Sequence, residues 1–298
     1  MWFVNRRPRR SARPRAAAYW PPVSECCAAP ALPVTTSPAE PPSVSRRGVL
    51  QAGGALALGL SALGALPARA EAQASHGPLV DLTQPIRSGI LQVSGPPTEV
   101  TQTAFKGVNG SPVNQGTFAM TTHSGTHLDA PYHVIEGGAT VDTLPLGRLQ
   151  GPGVLLTIRK EPGGEIDVAD LEAAARGVTI RPGDFLVLHT GWDQRYDDPA
   201  YLTDYTPLTL AAADWVVATG VGMLAVDMLA PEWPRVRRPA GITGLVVHER
   251  LLGNDVLIAE NLRGLDRLAG RQFQLNVLPL PLLDADGAPA RVFAELLD

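Results

Sequence analysis

Thr121-Thr122-His123-Ser124-Gly125-Thr126-His127-Leu128-Asp129-Ala130-Pro131-Tyr132-His133 is the stretch on which the reading of this chain turns. Three of the six histidines of the sequence lie in it, spaced H-x3-H-x-D-x3-H around an aspartate. On a helix His123 and His127 would share a face. Gly125 and Pro131 both oppose a helix here, one through backbone entropy and the other through its missing N–H. On an extended segment His127 and Asp129 project to the same side, because strand side chains alternate with a period of two. Gly125 then permits the bend that brings His123 round to them. An extended segment with a turn is the expected geometry.

Outward from this stretch, short apolar runs separated by Gly and Pro read as strands at residues 79–83, 98–105, 116–121, 154–158, 185–189, 223–226, 256–258, 273–278 and 291–296. Two helices are marked by their ends. Asp167 or Asp170 caps residues 171–176, stopped by Gly177, and Thr209 caps the Ala-rich residues 210–219, stopped by Gly220. A third starts after Gly241 and runs through Val246 and Val247 to Leu252, where Gly253 stops it. Strands outnumber helices, and no repeat is visible. The expected fold class is α/β: a single domain over residues 75–298, with a mixed, curved or barrel-like β-sheet flanked by a few helices.

The 298 residues are 45% hydrophobic, enough for one sizeable domain or at most two. The charge is uneven. Residues 1–70 hold nine arginines and only two acids, Glu25 and Glu40, which leaves a formal charge of −11 on the remainder against −4 for the whole chain. A domain that acidic repels nucleic acid and anionic membranes, so a small-molecule partner is expected instead. Both cysteines, Cys26 and Cys27, also fall in the head of the chain. Any metal in the domain must therefore be held by nitrogen and oxygen ligands, and imidazole with carboxylate suits zinc or manganese.

The head reads as an address. Ser45-Arg46-Arg47-Gly48 opens a mildly apolar stretch to Leu66 that exits through Ala68-Arg69-Ala70 or Ala72-Gln73-Ala74. This is a twin-arginine-type signal over residues 45–74. Residues 1–44, rich in Arg, Pro and Ala, read as a disordered leader, or lie upstream of a true start near Ser45. Export to the periplasm or beyond follows, with no stable membrane anchor after cleavage. An uncleaved anchor is the competing reading, since ~18 apolar residues just span a bilayer.

His-Ser-Gly-Thr-His-x-Asp-Ala-Pro-x-His resembles the signature of the cyclase-like metal-dependent hydrolases, a family that includes bacterial kynurenine formamidases and isatin hydrolases. A second block agrees: His248-Glu249-Arg250-Leu251-Leu252, followed by Glu260-Asn261-Leu262, is similar to the family's C-terminal element. The resemblance implies that His123, His127 and Asp129 bind a first metal. It implies that Asp129 and Glu260 bridge to a second metal completed by His248, and that His133 is the catalytic acid/base. It also implies one or two zinc or manganese ions per subunit and a homo-oligomer, dimer or tetramer. The expected activity is hydrolysis of an amide, lactam or ester of a small molecule. A lyase or cyclase on the same metal, kynurenine formamidase proper, and an exported metal- or ligand-binding protein are the alternatives.

Kynurenine formamidases carry an aromatic residue in the early loop, whereas residues 85–100 here have none, which argues against an aryl-formamide. Ser124 and Thr126 either bond groups around the ligands or are purely structural. Among the remaining candidates, His189 reads as a buried, satisfied histidine, and Trp192 and Trp233 as packing residues. Asp227 either orients a ligand or caps the turn after it. Substrate-binding residues are not legible.

Overall fold

The computed structural model describes residues 77–92, 95–102 and 113–298. The leader and signal expected at 1–44 and 45–74 lie outside the described residues.

Ten strands and three helices make up the described chain: β1 (Leu79–Asp81), β2 (Glu99–Gln102), β3 (Gly116–Ala119), β4 (His127–Asp129), β5 (Gln150–Thr157), α1 (Val168–Ala174), β6 (Phe185–His189), α2 (Leu210–Ala218), β7 (Met223–Val226), α3 (Val246–Leu252), β8 (Leu257–Glu260), β9 (Phe273–Pro279) and β10 (Gly287–Leu296). Seven of the strands close into a ring in the order β10-β4-β8-β7-β6-β5-β9, with β9 pairing back onto β10. The run β5-β6-β7-β8 is parallel, and β4, β9 and β10 are antiparallel to their neighbours. β1 extends the flank of β10 beyond β4, and β2 with β3 forms a separate ribbon. The expectation of a barrel-like mixed sheet with a few helices is met.

The alternation of the buried strands builds the layers. Along β6, Phe185 and Val187 pack with Met223, Ala225, Leu257 and Ala259 inside the ring. Leu186 and Leu188 point the other way, joining Leu224, Val226 and Ile258 against the helix residues Leu171, Val216 and Leu251. The ring is thus filled with side chains, and the helices cover one outer flank.

The helices follow their caps. Thr209 accepts the Ala212 N–H at the start of α2, and Asp167 and Asp170 form a reciprocal capping box on α1. That box fixes Asp167 as the cap, so α1 begins earlier than residue 171. α3 begins only at Val246, because residues 240–245 are turns and irregular backbone rather than a first helical turn.

Asp227, fully buried after β7, neither orients a ligand nor caps the turn following it. Its oxygens accept from the Thr190 N–H at 3.0 Å, the Thr190 hydroxyl at 2.6 Å and the Gly191 N–H at 2.6 Å, which fastens the turn after β6 to the end of β7. Burial pushes this carboxyl up to about 6 in spite of those bonds. Asp227→Asn turns an amide N–H towards one of these donors. It should lower the unfolding free energy by about 1–3 kcal/mol, read as a reduced urea midpoint at unchanged slope.

Candidate metal centre

β4 is the element that makes the site. Leu128 points into the ring core, so His127 and Asp129 on either side of it face outward, towards the flank covered by α3. The register of β4 on β8 sets His127 opposite Glu260. The preceding turn, with Gly125 at φ 66°, swings His123 back onto Asp129. Gly287 of β10 is needed for the same approach, because a Cβ there would lie 2.8 Å from the His123 ring. His133 ends a short 3-10 turn at Pro131–His133, and α3 delivers His248 from the opposite side.

Distances bring the six sequence candidates into one cluster. His123 Nδ1 lies 2.7 Å from Asp129 Oδ1, and His127 Nε2 lies 3.2 Å from both Asp129 Oδ1 and Glu260 Oε2. His248 Nε2 lies 3.1 Å from Glu260 Oε1 and 3.7 Å from Asp129 Oδ2. The His133 and His123 ring centroids are 3.9 Å apart. Two sets have ligand atoms mutually within 4.8 Å: His127, Asp129 and Glu260, all buried, and His123, Asp129 and His133. The partition differs from the one implied by the resemblance: His123 and His127 fall in separate sets that share Asp129, and His133 has ligating reach.

The donor chemistry suits a cation. His127 donates its Nδ1–H to the Gly125 carbonyl at 2.8 Å, and its Nε2 faces two carboxylate oxygens, which push the ring well above its ordinary value in spite of its burial. Neither His127 Nε2 nor Asp129 Oδ2, both buried, has a hydrogen-bond partner. Converging acceptors in a dry site are tolerated only around positive charge. The histidines register that demand. Burial opposes charging His123, yet the Asp129 and Asp286 carboxylates outweigh it and push the ring up to about 9. His248, more deeply buried, is pushed up to about 10 by Glu232 and Glu260 in spite of that burial. Burial opposes ionisation of Asp129 too, but His123 and His127 hold it well below the usual carboxylate range. A divalent cation among these ligands meets the same demand.

Two carboxylates escaped the sequence reading. Asp286, just before β10, lies 2.8 Å from His123 Nε2 and 3.2 Å from His133 Nδ1, and accepts the Thr122 hydroxyl. Glu232, 2% exposed, accepts the Val247 N–H at the start of α3 and faces His248 Nδ1 at 3.6 Å. Nothing distinguishes Asp286 in the run Asp284-Ala285-Asp286. An acid between Pro231 and Trp233 was the faint signal for Glu232.

Other candidates resolve individually. His189 is buried and accepts from Arg159 at 3.0 Å, away from the cluster. Trp192 is a packing residue whose indole N–H bonds the Tyr201 carbonyl. Trp233 packs too, but also lines the cavity over the site. Thr126 bonds the Asn261 carbonyl and the Gln84 N–H, a structural tie between loops. Ser124 bonds Thr121 and Gln92.

The cavity holds about 380 Å³, and His123, Asp129, His133, His248 and Glu260 are among the residues that line it. Its aromatic wall comes from Tyr205 and Trp233 rather than from the early loop, which contributes Gln92. A second hollow of about 420 Å³, against Phe118, Leu278 and Leu280, holds none of the histidines.

A family model described as putative cyclase matches residues 80–233. The chain belongs to this cyclase-like family of metal-dependent hydrolases. The kynurenine formamidase of Erythrobacter litoralis is 30% identical over 222 residues, covering 73% of this chain and 94% of the relative. A predicted metal-dependent hydrolase of Bacillus stearothermophilus superimposes with a TM-score of 0.55 at 26% identity, over 73% of this chain and 97% of that one. Isatin hydrolase A of Ralstonia solanacearum shares the fold, with a TM-score of 0.65 at 22% identity over 74% of this chain and 92% of that one.

Because Glu232 faces the rear nitrogen of His248 at 3.6 Å and anchors the start of α3 through the Val247 N–H, Glu232→Gln should weaken divalent-cation affinity roughly 10- to 100-fold. Competition against a chromogenic chelator measures it.

Proposed function

We propose that the protein is a metal-dependent hydrolase that cleaves an amide or lactam C–N bond, or a related ester, of a small molecule. The observation that carries this reading is the buried cluster of His127, Asp129 and Glu260, with ligand atoms mutually within 4.8 Å and with His127 Nε2 and Asp129 Oδ2 lacking hydrogen bonds. His127, Asp129 and Glu260 would hold one divalent cation, zinc or manganese, with His248 at its edge. His123 and Asp129 would hold a second. Such a cation supplies a water acidified from a pKa of ~15.7 towards ~7 and polarises the scissile carbonyl.

His133 lines the cavity beside these groups. With Nδ1–H donated to Asp286 at 3.2 Å, Nε2 is the nitrogen that exchanges a proton. It takes the proton of the attacking water and returns it to the leaving nitrogen or oxygen. Asp286 fixes the tautomer, and Glu232 holds the far side of His248. Tyr205, Trp233 and Leu229 screen the cavity from water and give the substrate an apolar wall. With that wall in place, the lack of an aromatic in the early loop no longer argues against an aryl substrate.

The family description supports lyase or cyclase chemistry on the same ligands as a second reading, and the identity of the product separates the two. Export through the twin-arginine-type leader and assembly as a homo-oligomer belong to the same proposal. The leader sequence supports the first, and N-terminal sequencing of exported protein should begin after Ala70 or Ala74.

Chelation should abolish hydrolysis across a panel of formanilides, lactams and lactones, and a divalent metal should restore it. His133→Ala should lower kcat by roughly 10²- to 10⁴-fold while the metal content of the folded protein stays constant. Loss of one metal equivalent in that variant would make His133 a ligand instead.

A further inference from the structure

The segment between β7 and α3 carries three arginines in four residues, and they are employed differently. Arg237 donates to the Thr203 and Tyr205 carbonyls. Arg235 and Arg238 line the cavity of the candidate site, and neither has an ion pair or hydrogen bond among the described residues. Arg238 Nε is buried and has no partner. A guanidinium partly removed from water without an acceptor is costly, and the cost is recovered when an anion arrives. The setting makes these charges notable, since the domain carries a formal charge of −11 and the floor of the cavity is lined by carboxylates. Without local positive charge, that field would turn an anionic ligand away.

Much of the remaining lining is apolar, with Leu202, Tyr205, Leu229, Trp233 and Leu245. The cavity thus combines a cation-demanding cluster, apolar and aromatic lining, and two guanidiniums that make no ion pair with the carboxylates of that cluster. Planar, forked guanidiniums match a carboxylate through paired N–H donors.

We propose that Arg238 and Arg235 form a carboxylate-binding subsite, so that the preferred substrate is an apolar or aromatic amide or lactam bearing a carboxylate away from the scissile bond. The assignment of the scissile bond rests on the hydrolase reading, whereas the anion subsite does not.

Calorimetry on the metal-loaded full chain compares 3-phenylpropanoate with its neutral primary amide, in wild type, Arg238→Met and Arg235→Met. The carboxylate should bind roughly 10- to 100-fold more tightly than the amide in wild type. Each variant should lose most of that preference at unchanged metal content. A preference that survives both variants would mean that the carboxylate sits on the metal, and would overturn the subsite, as would no preference in wild type. Arg235 is exposed, so Arg235→Met decides the matter should Arg238→Met fail to fold. In parallel, formanilides with and without a ring carboxylate should differ at least tenfold in kcat/KM, chiefly through KM, with the difference erased in the variants. If no panel member is hydrolysed, the hydrolase reading fails while the calorimetry still decides the subsite.

Discussion

The pairing of β4 with β8 is the interaction on which the rest of the site depends. It is only three residues long, yet it sets His127 directly across from Glu260. It also commits Leu128 to the packed interior, which leaves Asp129 no choice of face. A register slip of one residue would send both ligands into the apolar ring and Leu128 into the polar cavity. The surrounding architecture can be seen as enforcement of that register. β10 grips the other flank of β4 through Gly287, Ala288 and Pro289, and the closed ring prevents the strand from sliding.

Around that pairing, acidic groups surround the histidines. Asp129 and Glu260 are buried at the centre, Glu232 is buried behind His248, and Asp286 is partly open to solvent beside His123 and His133. His123, His127 and His133 each have one nitrogen held by a carbonyl or carboxylate, and Glu232 faces the rear nitrogen of His248 at 3.6 Å. Orientation comes from the outer groups, and reactivity from the inner ones.

Much of this was legible in the sequence. The period-two placement of His127 and Asp129 followed from Gly125 and Pro131 alone, and β6 and β7 coincide with apolar runs bounded by turn residues. The capped helix α2 was equally plain, since Thr209 and Gly220 bracket it. What could not be read was pairing. No local pattern says that Asp286 returns to His123, that Glu232 reaches behind α3, or that Tyr205 and Trp233 furnish an aromatic wall in place of the early loop. These are contacts between segments far apart in the chain, created by ring closure. Helix starts were misplaced where a reciprocal cap, as at Asp167 and Asp170, or an irregular lead-in, as before Val246, overrode the hydrophobic pattern.

The scattering of the ligands along the chain has a consequence for how the molecule matures. On the proposed ligand assignment, a peptide containing only residues 121–133 would offer His123, His127 and Asp129 on a flexible segment, without Glu260 and His248 to complete the grip. Those partners arrive only once β8 and α3 have docked, so tight capture of the ion is a report that the barrel has already closed. Ion occupancy and folding are then a single linked equilibrium, and the free concentration of the ion wherever folding takes place becomes a determinant of how much native protein accumulates.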